Sequence, residues 1–448
     1  MNIKESFLIL VGYLRGRHIR EFAWIAVGQA SGMAASLLTV KYLTNAVAPS
    51  IYGQYSLLLA AMALPTWVLF APFSQPVLRY YSAFEREGRL TELMSVGLLS
   101  YAVVSFLLLV FFNIAAVARL SMATGIDILS LRLVSLVFFC EVWTSFGVTV
   151  ASARRERLRV SMVSVIAMVS RPLLIFAAVR AWGPSLPAAL AGYLASAVLA
   201  AGYAALSLTA CVKSLAGLKI SREVVNQLLS YGMPFGLWGA FHWAQLYVDR
   251  YALGMLMGTA SAGYYVAAMQ IVSFPFMIGA SLISQFITPV VYQRVGGGRD
   301  SAKQLETARL LRGVCFCMFA AGLPLVAVYA VCGRAIMRLF TNAEYLVPLN
   351  ALAALSMGVL FTVVAQQLSL VFLANNKTWH MLAIKVLPGL VGVPVMWGMV
   401  TAFGLPGAAF GSLIVASFYF ALTGLAVRRI NNMHSAAYFE PAQCGAVQ

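Results

Sequence analysis

Long, nearly uninterrupted apolar runs set the rhythm of this chain, and polar residues are confined to short intervals between them. Each run extends over roughly 20 residues, the length an α-helix needs to cross a hydrocarbon core about 30 Å thick. Twelve such runs are legible, at 22–46, 51–73, 93–118, 128–151, 160–180, 187–210, 232–257, 262–292, 313–332, 349–373, 380–403 and 406–427. The pattern predicts an all-α polytopic membrane protein with about 12 transmembrane helices. Proline and glycine supply helix ends and bends, as in SYGMPFGLWG at 230–239 and SRPLL at 170–174.

Composition agrees with the pattern: 61% of residues are hydrophobic and 10% are charged, against roughly 25% charged in an average soluble domain. A net charge of +17 raises the question of nucleic acid, and the placement of the bases answers it. Connections on one side, together with both termini, hold 22 of the 31 Lys and Arg, while the opposite connections hold only Arg119, Arg180, Arg334 and Arg338. That asymmetry puts both termini in the cytoplasm and fits an even number of spans. Clusters such as ARRERLR at 153–159 are then topology determinants near anionic headgroups, and no nucleic-acid partner is expected. The first 21 residues lack a small-residue cleavage site. Six scattered cysteines, Cys315 and Cys317 among them, show no metal-ligand spacing, and Cys444 does not fit a prenylation box.

The chain also matches itself. Gly53, Tyr55, Pro65, Ser74 and Gln75 recur as Gly263, Tyr265, Pro275, Ser284 and Gln285, at a constant offset of 210. One residue of shift upstream, Lys41-Tyr42 matches Arg250-Tyr251, and Leu186, Pro187, Ala189 and Gly192 match Leu405, Pro406, Ala408 and Gly411. A duplication predicts two parallel six-helix lobes around a central cavity, 1–215 with helices 1 to 6 and 216–448 with helices 7 to 12, related by an axis along the membrane normal.

No outer connection gathers paired carboxylates or a His-Glu cluster, and no phosphate-binding Gly-rich loop ends in Lys-Ser or Lys-Thr, so an enzyme is not expected. The informative residues are the intramembrane charges, each costing about 2.5–3.5 kcal/mol at mid-membrane on insertion scales. Arg132 and Lys385 lie near span ends, where snorkelling is the default. Lys41, Arg171 and Arg250 read as cavity cations for an anionic substrate, with a structural salt bridge as the alternative for each. Trp238, His242, Gln245 and Asp249 share one stripe of the seventh span, lining a cavity or forming an interhelical seam. Asp249 either keeps that helix in register or handles a proton, and Glu141 either carries a proton or pairs with Arg171 or Arg132.

The stretches LTNAVAPSIYGQYS at 43–56 and DRYALGMLMGTASAGYY at 249–265, with YGMP entering the seventh span and LPGAAFG the twelfth, resemble the polysaccharide transporter family. Its members include O-antigen and exopolysaccharide flippases of the Wzx type, within the multidrug/oligosaccharidyl-lipid/polysaccharide exporter superfamily. The resemblance implies a flippase of the bacterial inner membrane. It would turn an undecaprenyl-diphosphate-linked oligosaccharide from the cytoplasmic to the periplasmic leaflet by alternating access, with Lys41, Arg171 and Arg250 as its cavity cations. It implies no cofactor or metal, coupling to H+ or Na+, and as partners the lipid-linked oligosaccharide, membrane lipids, the glycan polymerase and the chain-length machinery. The alternatives are a small-molecule antiporter of the related MATE type, whose cleft should favour cations, and a membrane enzyme of the same glycan pathway.

Overall fold

The computed structural model describes residue 32 and residues 34–114, 125–214, 220–295, 301–374 and 378–444, and these form helices and turns, with no strand among the described residues. The chain is an all-α polytopic membrane protein. Helix α1 occupies 34–46. Helix α2, Pro49–Arg86, contains a π-helical turn at Thr66–Phe70. There follow α3 (Leu90–Asn113), α4 (Ile128–Ala153), α5 (Arg157–Trp182), α6 (Leu186–Ser214), α7 (Arg222–Met257), α8 (Thr259–Val295), α9 (Ser301–Phe340) and α10 (Leu349–Leu368). The last helical stretch, Thr378–Cys444, has non-helical backbone at Gly404 and so provides α11 at 378–403 and α12 at 405–444.

Nine helical stretches among the described residues are long and apolar enough to cross a membrane, with α11 and α12 counted as one. Helix α7 is not among the nine; His242, Gln245, Asp249 and Arg250 dilute its apolar character. Most of the first expected span before residue 34, the basic residues up to Arg20, Arg119 and the side chain of Cys444 lie outside the described residues. Several helices outrun the apolar stretches that announced them, because backbone hydrogen bonding continues after the side chains turn polar. Thus α2 carries on through Arg79 to Arg86, and α9 includes Arg334 and Arg338, which the sequence pattern assigned to a connection. Arg338 sits in the last turn of α9, where a cation complements the helix dipole.

Local chemistry sets the ends. Asp127 caps α4 by accepting from Ser130 N at 2.9 Å and from Ser130 Oγ at 2.7 Å, and such a cap contributes about 1 kcal/mol. Gly258 and Gly404 have φ of 87° and 63°, a left-handed backbone that stops α7 and α11 where a side chain would be strained. Between α2 and α3, Arg89 bonds Glu92 at 2.9 Å and lies 3.9 Å from Glu223 at the start of α7. The Glu92 hydrogen bond holds the Arg89 guanidinium above its ordinary pKa.

The described residues pack as two compact units. The first is Ala34–Ala267 with Phe340–Tyr345, and the second takes in the described residues of Ala268–Leu339 and Leu346–Gln448. Packing groups helices by contact in one conformation, a different property from the internal repeat that motivates a boundary at 215. In the first unit, Phe70, Val77, Tyr101, Phe138 and Phe146 build a core between α2, α3 and α4. The Tyr101 ring lies 4.3 Å from that of Phe146 and 5.0 Å from that of Phe70. In the second unit, Phe319, Phe361 and Phe420 stack at 5.9 and 5.2 Å, and Tyr329 on α9 donates to Ile271 O on α8 at 2.9 Å.

The internal repeat has a physical counterpart inside the first unit. A Cβ on Gly53 would collide with Thr259 O, and one on Gly263 with Pro49 O. All four residues obey the same offset of 210, so each partner offers the other the same surface, as across a twofold axis. Farther along, α7 lays Gly232, Gly236 and Gly239 on α2, against Pro72 O, Val68 O and Trp67 O. Small residues at i, i+4 and i+7 let two membrane helices approach backbone to backbone. Trp243 Nε1 and Tyr251 OH then donate to Ala60 O at 2.7 Å and Leu57 O at 2.9 Å, bonding the same two helices.

Candidate functional site

Two polar centres form on either side of α2. Tyr55 faces Tyr193 of α6, ring centroids 6.4 Å apart, within electrostatic reach of Arg171 and Glu141. Tyr52, almost one turn earlier, lies within electrostatic reach of Arg250. The tyrosine that the duplication singled out in the first half therefore stands beside one of the intramembrane charge pairs.

At the first centre Arg171 Nη2 donates to Glu141 Oε1 at 2.7 Å, Tyr193 OH donates to the same oxygen at 3.0 Å, and the guanidinium carbon sits 4.2 Å from the Tyr193 ring centroid. Pro172 withholds the N–H that would close the turn behind Arg171. Of the two pairings open to Glu141, the structure selects Arg171, while Arg132 is exposed. The pair cancels the local charge. Both side chains are 34% exposed, so breaking it should cost less than the roughly 3–5 kcal/mol of a fully buried pair. Glu141→Ala is expected to lose about 1–2 kcal/mol of stability, read as a drop in Tm. A double-mutant cycle with Arg171→Leu should show coupling, and strictly additive losses would mean the pair contributes nothing.

The second centre answers why α7 carries adjacent opposite charges. Asp249, 5% exposed, accepts from Tyr265 OH at 2.6 Å and from the backbone N of Arg250 at 2.7 Å. Tyr265, on α8, is the repeat equivalent of Tyr55. The Arg250 guanidinium turns elsewhere, 4.8 Å from the Tyr247 ring centroid, and makes no ion pair among the described residues. Its Nε is buried without a hydrogen-bond partner, as are Trp238 Nε1 and Gln245 Oε1 on the same helix. His242 lies between two indoles, 4.6 Å from Trp238 and 4.9 Å from Trp67, ring centre to ring centre.

Lys41 is exposed on α1 and makes no ion pair among the described residues; its carbonyl accepts from Asn45 Nδ2 at 2.6 Å. The site residues thus fall into a neutralised pair (Glu141, Arg171), an acid engaged by a tyrosine (Asp249), two bases without acid partners (Lys41, Arg250) and a half-buried polar stripe (His242, Gln245). Sequence reasoning missed Tyr193, Tyr247 and Trp67. Aromatic residues are common in every span, and nothing in their spacing marks those that meet a charge. Lys385, expected to snorkel, is instead 4% exposed, with Nζ 4.5 Å from the Tyr419 ring centroid.

The sequence matches a family model described as "Polysaccharide biosynthesis protein" over residues 19–294. No curated protein matches it. Among solved structures it is similar to an inward-facing conformation of a multidrug resistance MATE family transporter of the MOP superfamily. That likeness has a TM-score of 0.77 at 17% identity, covering 92% of this chain and 99% of that one. It is also similar to a MOP superfamily transporter from Pyrococcus furiosus described as having a binding pocket of reverse polarity, with a TM-score of 0.69 at 16% identity, covering 95% and 98%. An outward-facing conformation of a MATE family transporter gives a TM-score of 0.69 at 16% identity, with the same coverage.

Proposed function

Because the chain belongs to the polysaccharide biosynthesis protein family, we propose that it is a flippase for an undecaprenyl-diphosphate-linked oligosaccharide, turning the lipid from the cytoplasmic to the periplasmic leaflet of a bacterial inner membrane. Family and fold are those of membrane transporters, not of enzymes. The observation that carries the substrate class is Arg250, a base inside the membrane whose neighbouring acid is engaged elsewhere. An uncompensated guanidinium with a buried, unpartnered Nε suits a ligand that brings its own negative charge, and its fork matches the oxygens of a phosphate. Lys41, its repeat equivalent, supplies a second cation, while Arg171 contributes orientation through Glu141 and Tyr193. In this reading the six-helix halves 1–215 and 216–448 alternate access around the diphosphate, and the prenyl tail stays in lipid. H+ or Na+ movement drives the cycle, and the glycan polymerase and chain-length machinery act on the delivered lipid.

The test is a leaflet-sidedness assay. Lipid-linked oligosaccharide reconstituted in vesicles should become accessible to an external glycan-modifying reagent only when the protein is present. Vesicles in which accessibility does not depend on the protein would remove the reading. Export of a cationic dye with no effect on the lipid-linked glycan would favour an antiporter of the MATE type instead.

A further inference from the structure

Lys385 is buried in the second unit on α11, and its one printed partner is the face of the Tyr419 ring on α12, 4.5 Å from Nζ. The surrounding sequence offers it no counter-charge. Between Glu306 and Glu440 the only acid is Glu344, which lies in the turn Ala343–Tyr345 that packs with the first unit. Helix α10 carries no titratable side chain. The membrane stretches of α8, α9, α11 and α12 among the described residues carry bases, tyrosines and cysteines but no acid, and of these Tyr419 is the group that faces Lys385.

Magnitudes decide what such a side chain can be. A buried ammonium without an anion costs several kcal/mol, and a desolvated cation–π contact returns about 2 kcal/mol. The shortfall is removed most directly by giving up the proton. An anion is the other remedy, but the side chain is closed in, and its Nζ already faces a ring. We propose that Lys385 is a proton-binding site of the transport cycle: neutral in the packing seen here, and protonated in a conformation that opens α11 to water. One proton enters and leaves at Nζ and no other bond changes. This rests on the transport reading above and names the residue through which that transport is linked to H+.

The experiment uses full-length protein in vesicles carrying lipid-linked oligosaccharide, with and without a pH gradient. Lys385→Met, which keeps the volume and stays neutral, should transport but lose its response to the gradient. Lys385→Arg, which cannot shed its charge, should slow transport by about tenfold or more. Full gradient response in Lys385→Met, or wild-type rates in Lys385→Arg, would overturn the proposal. A readout independent of substrate is nitrogen NMR of lysine-labelled protein at neutral pH. It should show one neutral-amine signal that is absent from Lys385→Met, and a charged-ammonium signal at that position would equally reject the idea. If the neutral amine is found while the protein moves no lipid-linked glycan, the flippase reading fails and the proton site stands.

Discussion

Replacing Arg250 with alanine is expected to reduce transport of the lipid-linked oligosaccharide by about 10- to 100-fold, the equivalent of one lost charge-assisted hydrogen-bond set of roughly 1.5–3 kcal/mol, while the protein remains folded. The two halves of that expectation have separate grounds. Folding survives because the bond from residue 250 to Asp249 comes from the backbone N–H, which alanine retains, and Tyr265 still holds the other carboxylate oxygen. The contact with the Tyr247 ring is worth about 0.5–1 kcal/mol if partly hydrated. Transport suffers because the guanidinium is the part of the residue with no other engagement. Arg250→Lys should keep a fraction of the activity, as a point charge without the planar fork. Combining Lys41→Ala with Arg250→Ala should abolish transport in the leaflet assay. A correctly inserted double variant that transports normally would eliminate the anion site.

A branched side chain at Gly53 should be the most damaging single change to the fold described here. The Cβ would meet the backbone oxygen of Thr259, which has no rotamer to give, and the same holds for Gly263 against Pro49. Overpacking against flexible side chains costs about 1–3 kcal/mol, so Gly53→Val, wedged against main chain, should reach or exceed the upper end. The reciprocal geometry adds a sharper expectation. Once Gly53→Val has forced the crossing apart, Gly263→Val has less left to disrupt, so the double variant should lose clearly less than the sum of the singles. Thermal unfolding of the singles and the double decides this. Additive losses would mean that the two glycines do not share one contact.

The helical architecture was legible because hydrocarbon imposes a single rule on every span, and the basic side of the chain could be read because loop charges report topology. The site was legible only in part. The offset that pairs Tyr55 with Tyr265 pointed to residues that sit beside Glu141 and Asp249, and the choice of Arg171 for Glu141 was among the stated alternatives. What the sequence withheld was direction around each helix. Asp249 and Arg250 are adjacent, yet their side chains find partners on different elements, and that follows from which neighbours pack there. Lys385 was misjudged for a related reason. Nearness to a span end suggests an escape to the interface, but the path taken depends on α12 presenting Tyr419, which no local pattern encodes.

The π-helical turn at Thr66–Phe70 has a consequence for how this protein can evolve. A turn closed by i→i+5 bonds holds one residue more than an α-turn, and in an α-helix each residue advances the azimuth by about 100°. Deleting any single residue there would restore a regular α-helix and swing everything after it, including the Pro72 carbonyl that Gly232 abuts, by that angle. The phase of the lower half of α2 is thus stored in one inserted residue, so lineages can exchange side chains in this turn freely but cannot shorten it without re-aiming the helix against its partner.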